Sequence, residues 1–191
     1  MAVPLTRRRF TADEYHQMAD AGILGEDDRV ELIEGDIVEM SPINRKHING
    51  VNRSNVLFVY RFSDVAVVSI QNSVRLNQRN EPQPDLVLLR PGSESQDPPD
   101  PAEVLLVVEI ADTSATYDRR FKAPLYARHG IVEYWLVDLN REAITAYRDP
   151  SETGYRTSQT FRRGERLAPL AFPDRDVAVD ETLEPAQFVT P

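Results

Sequence analysis

"PDLVLLR" (84–90) and "VLLVVEIADTS" (104–114) are two short apolar runs with one acid each: Asp85 opens the first, and Glu109 stands near the end of the second. Runs of Val, Leu and Ile of this length, bounded by Pro and polar breaks, read as strands buried on both faces. An ionised carboxylate there is costly unless it is paired, hydrogen-bonded or bound to a cation. If the strands are antiparallel neighbours, which the loop between them permits, the start of one lies beside the end of the other. Both acids then meet at one rim of a sheet. Two carboxylates in that position suit Mg²⁺, with Mn²⁺ able to substitute, because Mg²⁺ takes one or two protein carboxylates and keeps its remaining positions for water and phosphate.

The next stretch, "YDRRFKAPLYA" (117–127), supplies a cation. Helical spacing puts Asp118, Lys122 and Tyr126 on one face. A helix packed on the rim would aim Lys122 at the carboxylates, where it could meet charge developing on a phosphodiester or stand beside the attacking water. Taken alone, Asp118 and Lys122 would read as an exposed pair worth a few tenths of a kcal/mol, but the two buried acids upstream favour the functional reading. Of the 22 basic residues 20 are arginine, leaving Lys46 and Lys122 as the only lysines. Lysine is a compact point charge, whereas arginine is a broad fork.

The rest of the chain frames this centre. A chain of 191 residues, 41% of them apolar, suffices for one packed core, so a single domain is expected. "FTADEYHQMADAG" (10–22) reads as a helix over about 11–21, with Thr11 as N-cap and Glu14 closing a capping box. "RVELIEGDIVEM" (29–40) reads as a hairpin turning at Gly35, and "HINGVNRSNVLFVYRF" (47–62) as a helix. "VAVVSIQ", "SVRL" and "VEYWLVDL" read as further strands, and "RPGSESQDPPDPAE" as a surface loop. Helix "TYDRRFKAPLYARHG" ends near Gly130, and Pro124 suggests a start later than its first residues. From 141 to 191 a polar-faced meander is expected, including "AITAYRD", "GYRTSQTF" and "RLAPLAF", with no chemistry in it. The fold class is α+β, a mixed sheet flanked by helices with additional C-terminal strands.

The absence of cysteine excludes disulfide scaffolds and thiolate metal sites, and "MAVPLTRRRF" does not lead into an apolar signal segment. A cytoplasmic protein without a membrane partner is the expectation. The formal charge of −9 argues against a surface coated in phosphate-binding groups while leaving room for a local basic face.

Together "PD" (84–85), "VVEIADTS" (107–114), "YDRRFKAPLYARHG" (117–130) and "VEYWLVD" (132–138), preceded by "RVELIEGDIVEMSP" (29–42) and His47, resemble a large bacterial family of restriction-endonuclease-like proteins in the PD-(D/E)XK nuclease superfamily. The resemblance spans about 29–138. It implies a nuclease-type sheet, Asp85 and Glu109 as metal ligands, and an N-terminal acid at the site, Glu31 before Glu34, with Glu31 completing the metal-ligand set. It also implies homodimers and a nucleic-acid substrate, DNA first. Two residues after Glu109, where the superfamily carries lysine, stands Ala111; the resemblance moves that role to Lys122. His47, Gln71, Asp118 and Tyr126 are candidate substrate-binding residues, whereas His16 and His129 have less support and Trp135 reads as core. Two rivals stand beside the metal-dependent endonuclease. One is a nuclease-fold protein without catalysis that binds nucleic acid or protein; the other is a purely structural or toxin-partner subunit using the meander after residue 141 as its interface.

Overall fold

In the computed structural model, which describes residues 7–25, 27–93 and 98–183, the two acid-bearing runs form the middle of a six-stranded sheet. Its order is β3 (Val67–Ile70), β4 (Leu86–Leu89), β5 (Val104–Ala111), β6 (Glu133–Asp138), β7 (Ala143–Ser151) and β8 (Gly154–Arg162). β4 and β5 are antiparallel, with Leu86 opposite Val108, so the residue before Leu86 falls beside Glu109. β5 and β6 are parallel and the other pairs antiparallel, which makes the sheet mixed. All residues of β4, β5 and β6 are buried, as continuous apolar strands require when both sheet faces are covered.

One face is covered by α2 (Arg45–Phe62), whose Val51, Phe58 and Phe62 pack with Leu106, Val108, Ile110 and Trp135. Against the same face lies α5 (Val179–Thr182) after a small sheet of β9 (Arg166–Leu167) and β10 (Val177–Ala178). The opposite face carries α3 (Ala115–Tyr117), a widened π turn over Asp118–Lys122 and α4 (Ala123–Arg128), with Ala123, Leu125 and Tyr126 on Val107, Ala111 and Tyr134. Alternation along β5 therefore turns Glu109 and Ala111 toward the helix that bears Lys122.

Pro124 explains the π turn. It has no N–H to give the carbonyl four residues back, and its ring crowds that carbonyl. The chain widens so that the Ala123 N–H reaches the Asp118 carbonyl, and the helix continues through the proline. The helix thus begins at Ala115, before the start that Pro124 suggested. Near its end, Gly130 adopts φ +78, a left-handed conformation that glycine takes at little cost.

Helix α1 (Ala12–Asp20) has the full capping box of Thr11 and Glu14. β1 (Val30–Ile33) and β2 (Asp36–Glu39) form the hairpin, turning through Glu34 at φ 52 and Gly35 at φ 78. Two expected strands change. "SVRL" (73–76) is irregular because its amides bond to Pro82, Pro99 and Asn80 in separate directions, not to one partner strand. Only Arg166 and Leu167 of "RLAPLAF" are strand, since the chain turns at once through Pro169 and Pro173.

Gly50 sits where α2 crosses β5. A Cβ there would lie 2.9 Å from Ile110 Cγ2 and 3.1 Å from Leu139 Cδ1. Gly50→Ala is expected to lower the melting temperature, because overpacking costs about 1–3 kcal/mol against about 1 kcal/mol gained in helix propensity. A higher melting temperature would show that the crossing has slack.

Candidate active site

Between the sheet rim, the hairpin, the start of α2 and the π turn lies a cavity of about 160 Å³. Its walls include Arg29, Glu31, His47, Asp85, Glu109, Tyr117, Asp118 and Lys122. Asp85 is 8% exposed and Glu109 4%. Asp85 accepts a hydrogen bond from the Ile110 amide at 2.8 Å, which ties the end of β4 to the end of β5 and keeps the two carboxylates adjacent.

Lys122 is buried among acids. Its Nζ lies 3.0 Å from Glu109 Oε1 and 3.2 Å from Glu31 Oε2. The Tyr126 hydroxyl donates to the same Glu109 oxygen at 2.9 Å. Asp118, also buried, accepts from the Ser114 hydroxyl at 2.6 Å. Ala111, two residues after Glu109 on β5, faces the same way as Glu109. Its small side chain leaves the helix room to pack against β5, and Lys122 reaches Glu109 from that helix.

Glu31 reaches the site from the middle of β1 and also accepts from the Gln83 amide. Glu34 lies in the hairpin turn and pairs with Arg128, outside the cavity. His47 Nε2 is 3.2 Å from Asp85 Oδ1. Gln71 is exposed; its amide donates to the Asp85 carbonyl, and it lines a smaller hollow next to the main cavity with Arg29, Gln83 and Asp85. His16 bonds Glu81, His129 bonds Asn77 and the Leu125 carbonyl, and Trp135 donates to buried Glu133, all apart from the cavity. Lys46 binds Asn140 and lies near Asp112, a tie between α2 and the end of β5. Arg29, Tyr117, Asn44, Ser114 and Asp112 are cavity residues that sequence reading did not single out.

The electrostatics follow from burial. Desolvation pushes the Glu109 carboxyl up to about 8 despite the Lys122 ammonium beside it, with Asp85, Asp118 and Glu31 adding to the rise. Burial also raises Asp118, against the pull of Lys122 and Ser114. For Lys122 burial disfavours the ammonium, but Glu109, Glu31 and Asp118 outweigh it and hold the pKa above the ordinary lysine value. The hydrogen bond to Asp85 raises His47 against the cost of burial.

Four buried carboxylates, Glu31, Asp85, Glu109 and Asp118, thus line a cavity that holds a single buried ammonium. That shortage of positive charge suits a divalent cation, and the donors are the hard oxygens that Mg²⁺ and Mn²⁺ take. Among the described residues no three or more His, Asp or Glu side chains form a group ready to hold a metal ion. Asp85 and Glu109 are the pair that could bind one, with Glu31 lining the same cavity and the remaining positions falling to water and substrate; Glu109 and Glu31 both also meet the lysine.

Comparison with the curated proteins finds no match. Among solved structures, the chain is similar to a crystal structure titled as a putative nuclease belonging to DUF820 from Anabaena variabilis. The identity is 16%, the TM-score 0.69, and the match covers 91% of this chain and 97% of the other. That likeness establishes a shared fold, the restriction-endonuclease-like mixed sheet with helices on both faces. The model of the Uma2 family, described as putative restriction endonucleases, matches residues 12–180. The chain belongs to this Uma2 family of restriction-endonuclease-like proteins.

Proposed function

We propose that the protein is a metal-dependent endonuclease that hydrolyses phosphodiester bonds in DNA. The observation that carries this reading is the buried Lys122 ammonium 3.0 Å from Glu109, in a cavity that also holds Asp85 and more carboxylates than cations. Asp85 and Glu109 would hold Mg²⁺ or Mn²⁺, which when bound polarises a phosphoryl oxygen and makes water a better nucleophile. Lys122 stays protonated, so it acts as a fixed positive charge toward the phosphoryl oxygens rather than as a proton acceptor. Glu31, Asp118 and Tyr126 are positioning residues. Glu31 and Asp118 keep the lysine charged, while Tyr126 fixes the Glu109 oxygen that Lys122 meets.

Ala111 would favour an inactive binding module if no ammonium reached Glu109. The contact from Lys122 weighs against that alternative. A homodimer and a cytoplasmic setting belong to the same proposal. Among the described residues no helix is long and apolar enough to cross a membrane.

The test is incubation of the purified protein with supercoiled plasmid and with labelled oligonucleotides in Mg²⁺, Mn²⁺ or EDTA. Nicking or cutting in either metal and none in EDTA is expected. Cleavage indifferent to EDTA would overturn the metal dependence; no cleavage of any nucleic acid in either metal would leave the binding module.

A further inference from the structure

The rim of the cavity carries features that hydrolysis itself does not use. Phe121, within the π turn, is 61% exposed, a large apolar ring offered to solvent. It stacks on Tyr117, with ring centroids 5.3 Å apart and planes 27° from parallel. Tyr117 lines the cavity, so the pair forms a continuous aromatic surface from the carboxylates outward. Arg120, next to Phe121 in the chain, is exposed and has no ion-pair partner among the described residues. Elsewhere on the lining stands Arg29, a second guanidinium without a carboxylate partner among the described residues; it donates to the Ser41 carbonyl and lies against Met40 sulfur.

Resting on the nuclease reading above, we infer that the nucleotide at this site is unpaired: the substrate is a single strand, or a strand with its bases out of the duplex, whose base stacks on Phe121 and Tyr117 while Arg29 holds a backbone phosphate. Two physical facts support the choice. Every base has a π face, so an exposed aromatic pair is a sequence-tolerant platform, but a base enclosed in duplex stacking cannot use it. The carboxylates lie 8% and 4% exposed at the floor of a cavity of only about 160 Å³. A flexible strand lowers a phosphate into such a depth with less deformation than a stiff duplex. An arginine without a carboxylate partner among the described residues, in a cavity otherwise rich in acids, is the group that meets the anionic backbone.

The test measures binding, in EDTA and then in Ca²⁺, of a labelled oligothymidylate and of a blunt duplex of mixed sequence by fluorescence anisotropy. The single strand is expected to bind more tightly. Phe121→Ala should weaken single-strand binding about tenfold with little change for the duplex, and Phe121→Trp should restore it. Arg29→Ala should weaken it and reduce the slope of log K against log salt by about 0.7, the share of one single-strand phosphate. Tighter binding of the duplex, or single-strand affinity unmoved in Phe121→Ala, would overturn the inference. If the wild type cuts nothing yet its single-strand binding depends on Phe121, the nuclease reading falls and the unpaired-strand site stands.

Discussion

Asp85→Asn is expected to abolish metal-dependent cleavage, and Lys122→Arg to lose nearly as much as Lys122→Met, about a thousandfold. Asp85→Asn is an informative change because the asparagine oxygen can still accept the Ile110 amide. The strand junction is kept while the negative charge is lost, so a fall in activity reports metal and substrate chemistry more than folding. The Lys122 series separates charge from shape. Its ammonium fits between Glu109 at 3.0 Å and Glu31 at 3.2 Å, with the side chain 7% exposed. A guanidinium keeps the charge, but its planar fork is larger and its donors point in fixed directions. Either it pushes the π turn outward or it takes both carboxylates in a geometry that excludes a metal. Single-turnover cleavage of an oligonucleotide in Mg²⁺, with melting temperatures measured alongside, checks these outcomes. An Arg variant as fast as wild type would remove the special role given to this lysine.

How much of this was legible beforehand depended on how local the signal was. The pairing of β4 with β5, and with it the meeting of Asp85 and Glu109, followed from two apolar runs and the position of one acid in each. The cost of a buried charge is a strong constraint, so an acid in an otherwise apolar strand points to its own partner. The capping box at Thr11 and Glu14 was readable for the same reason: four residues make the whole interaction. Lys122 stood out because the chain uses arginine almost everywhere else. The π turn was not readable, although Pro124 marked the place, because whether a proline ends a helix or widens it depends on what the flanking turns pack against. Arg29 and Tyr117 were missed for another reason. They come from separate segments, the entry to the hairpin and α3, and the surrounding pattern gives no sign that these side chains turn toward one cavity. "SVRL" looked like a strand by composition, but strand formation needs a partner along its length, and its amides bond to three different segments.

In metal-free protein Glu109→Gln should raise stability at pH 8, the reverse of the usual result for a buried polar residue in a hydrogen-bonded network. Burial pushes the Glu109 carboxyl up to about 8 from an ordinary value of 4.5. Between those two values the folded state holds a proton that the unfolded state has released. Stability therefore declines as pH rises through that window, and by pH 8 most of the loss has accumulated. Lys122, whose pKa is also raised, titrates above the window and does not mask the effect. Glutamine keeps an acceptor for the Tyr126 hydroxyl and cannot ionise, and the Lys122 ammonium retains Glu31. Melting curves in EDTA should then show little difference between Glu109→Gln and wild type near pH 5, and a variant several degrees higher at pH 8, since about 1 kcal/mol moves the midpoint of a chain this size by roughly 2–4 °C. Added Mg²⁺ should raise the melting temperature of wild type and leave that of the variant nearly unchanged, because a ligand that binds only the folded state stabilises it by mass action. A variant that melts below wild type at pH 8 in EDTA would mean that Lys122 already compensates Glu109 in full. The surplus of carboxylates would then be a feature of folding, and the case for a divalent cation would rest on Asp85 alone.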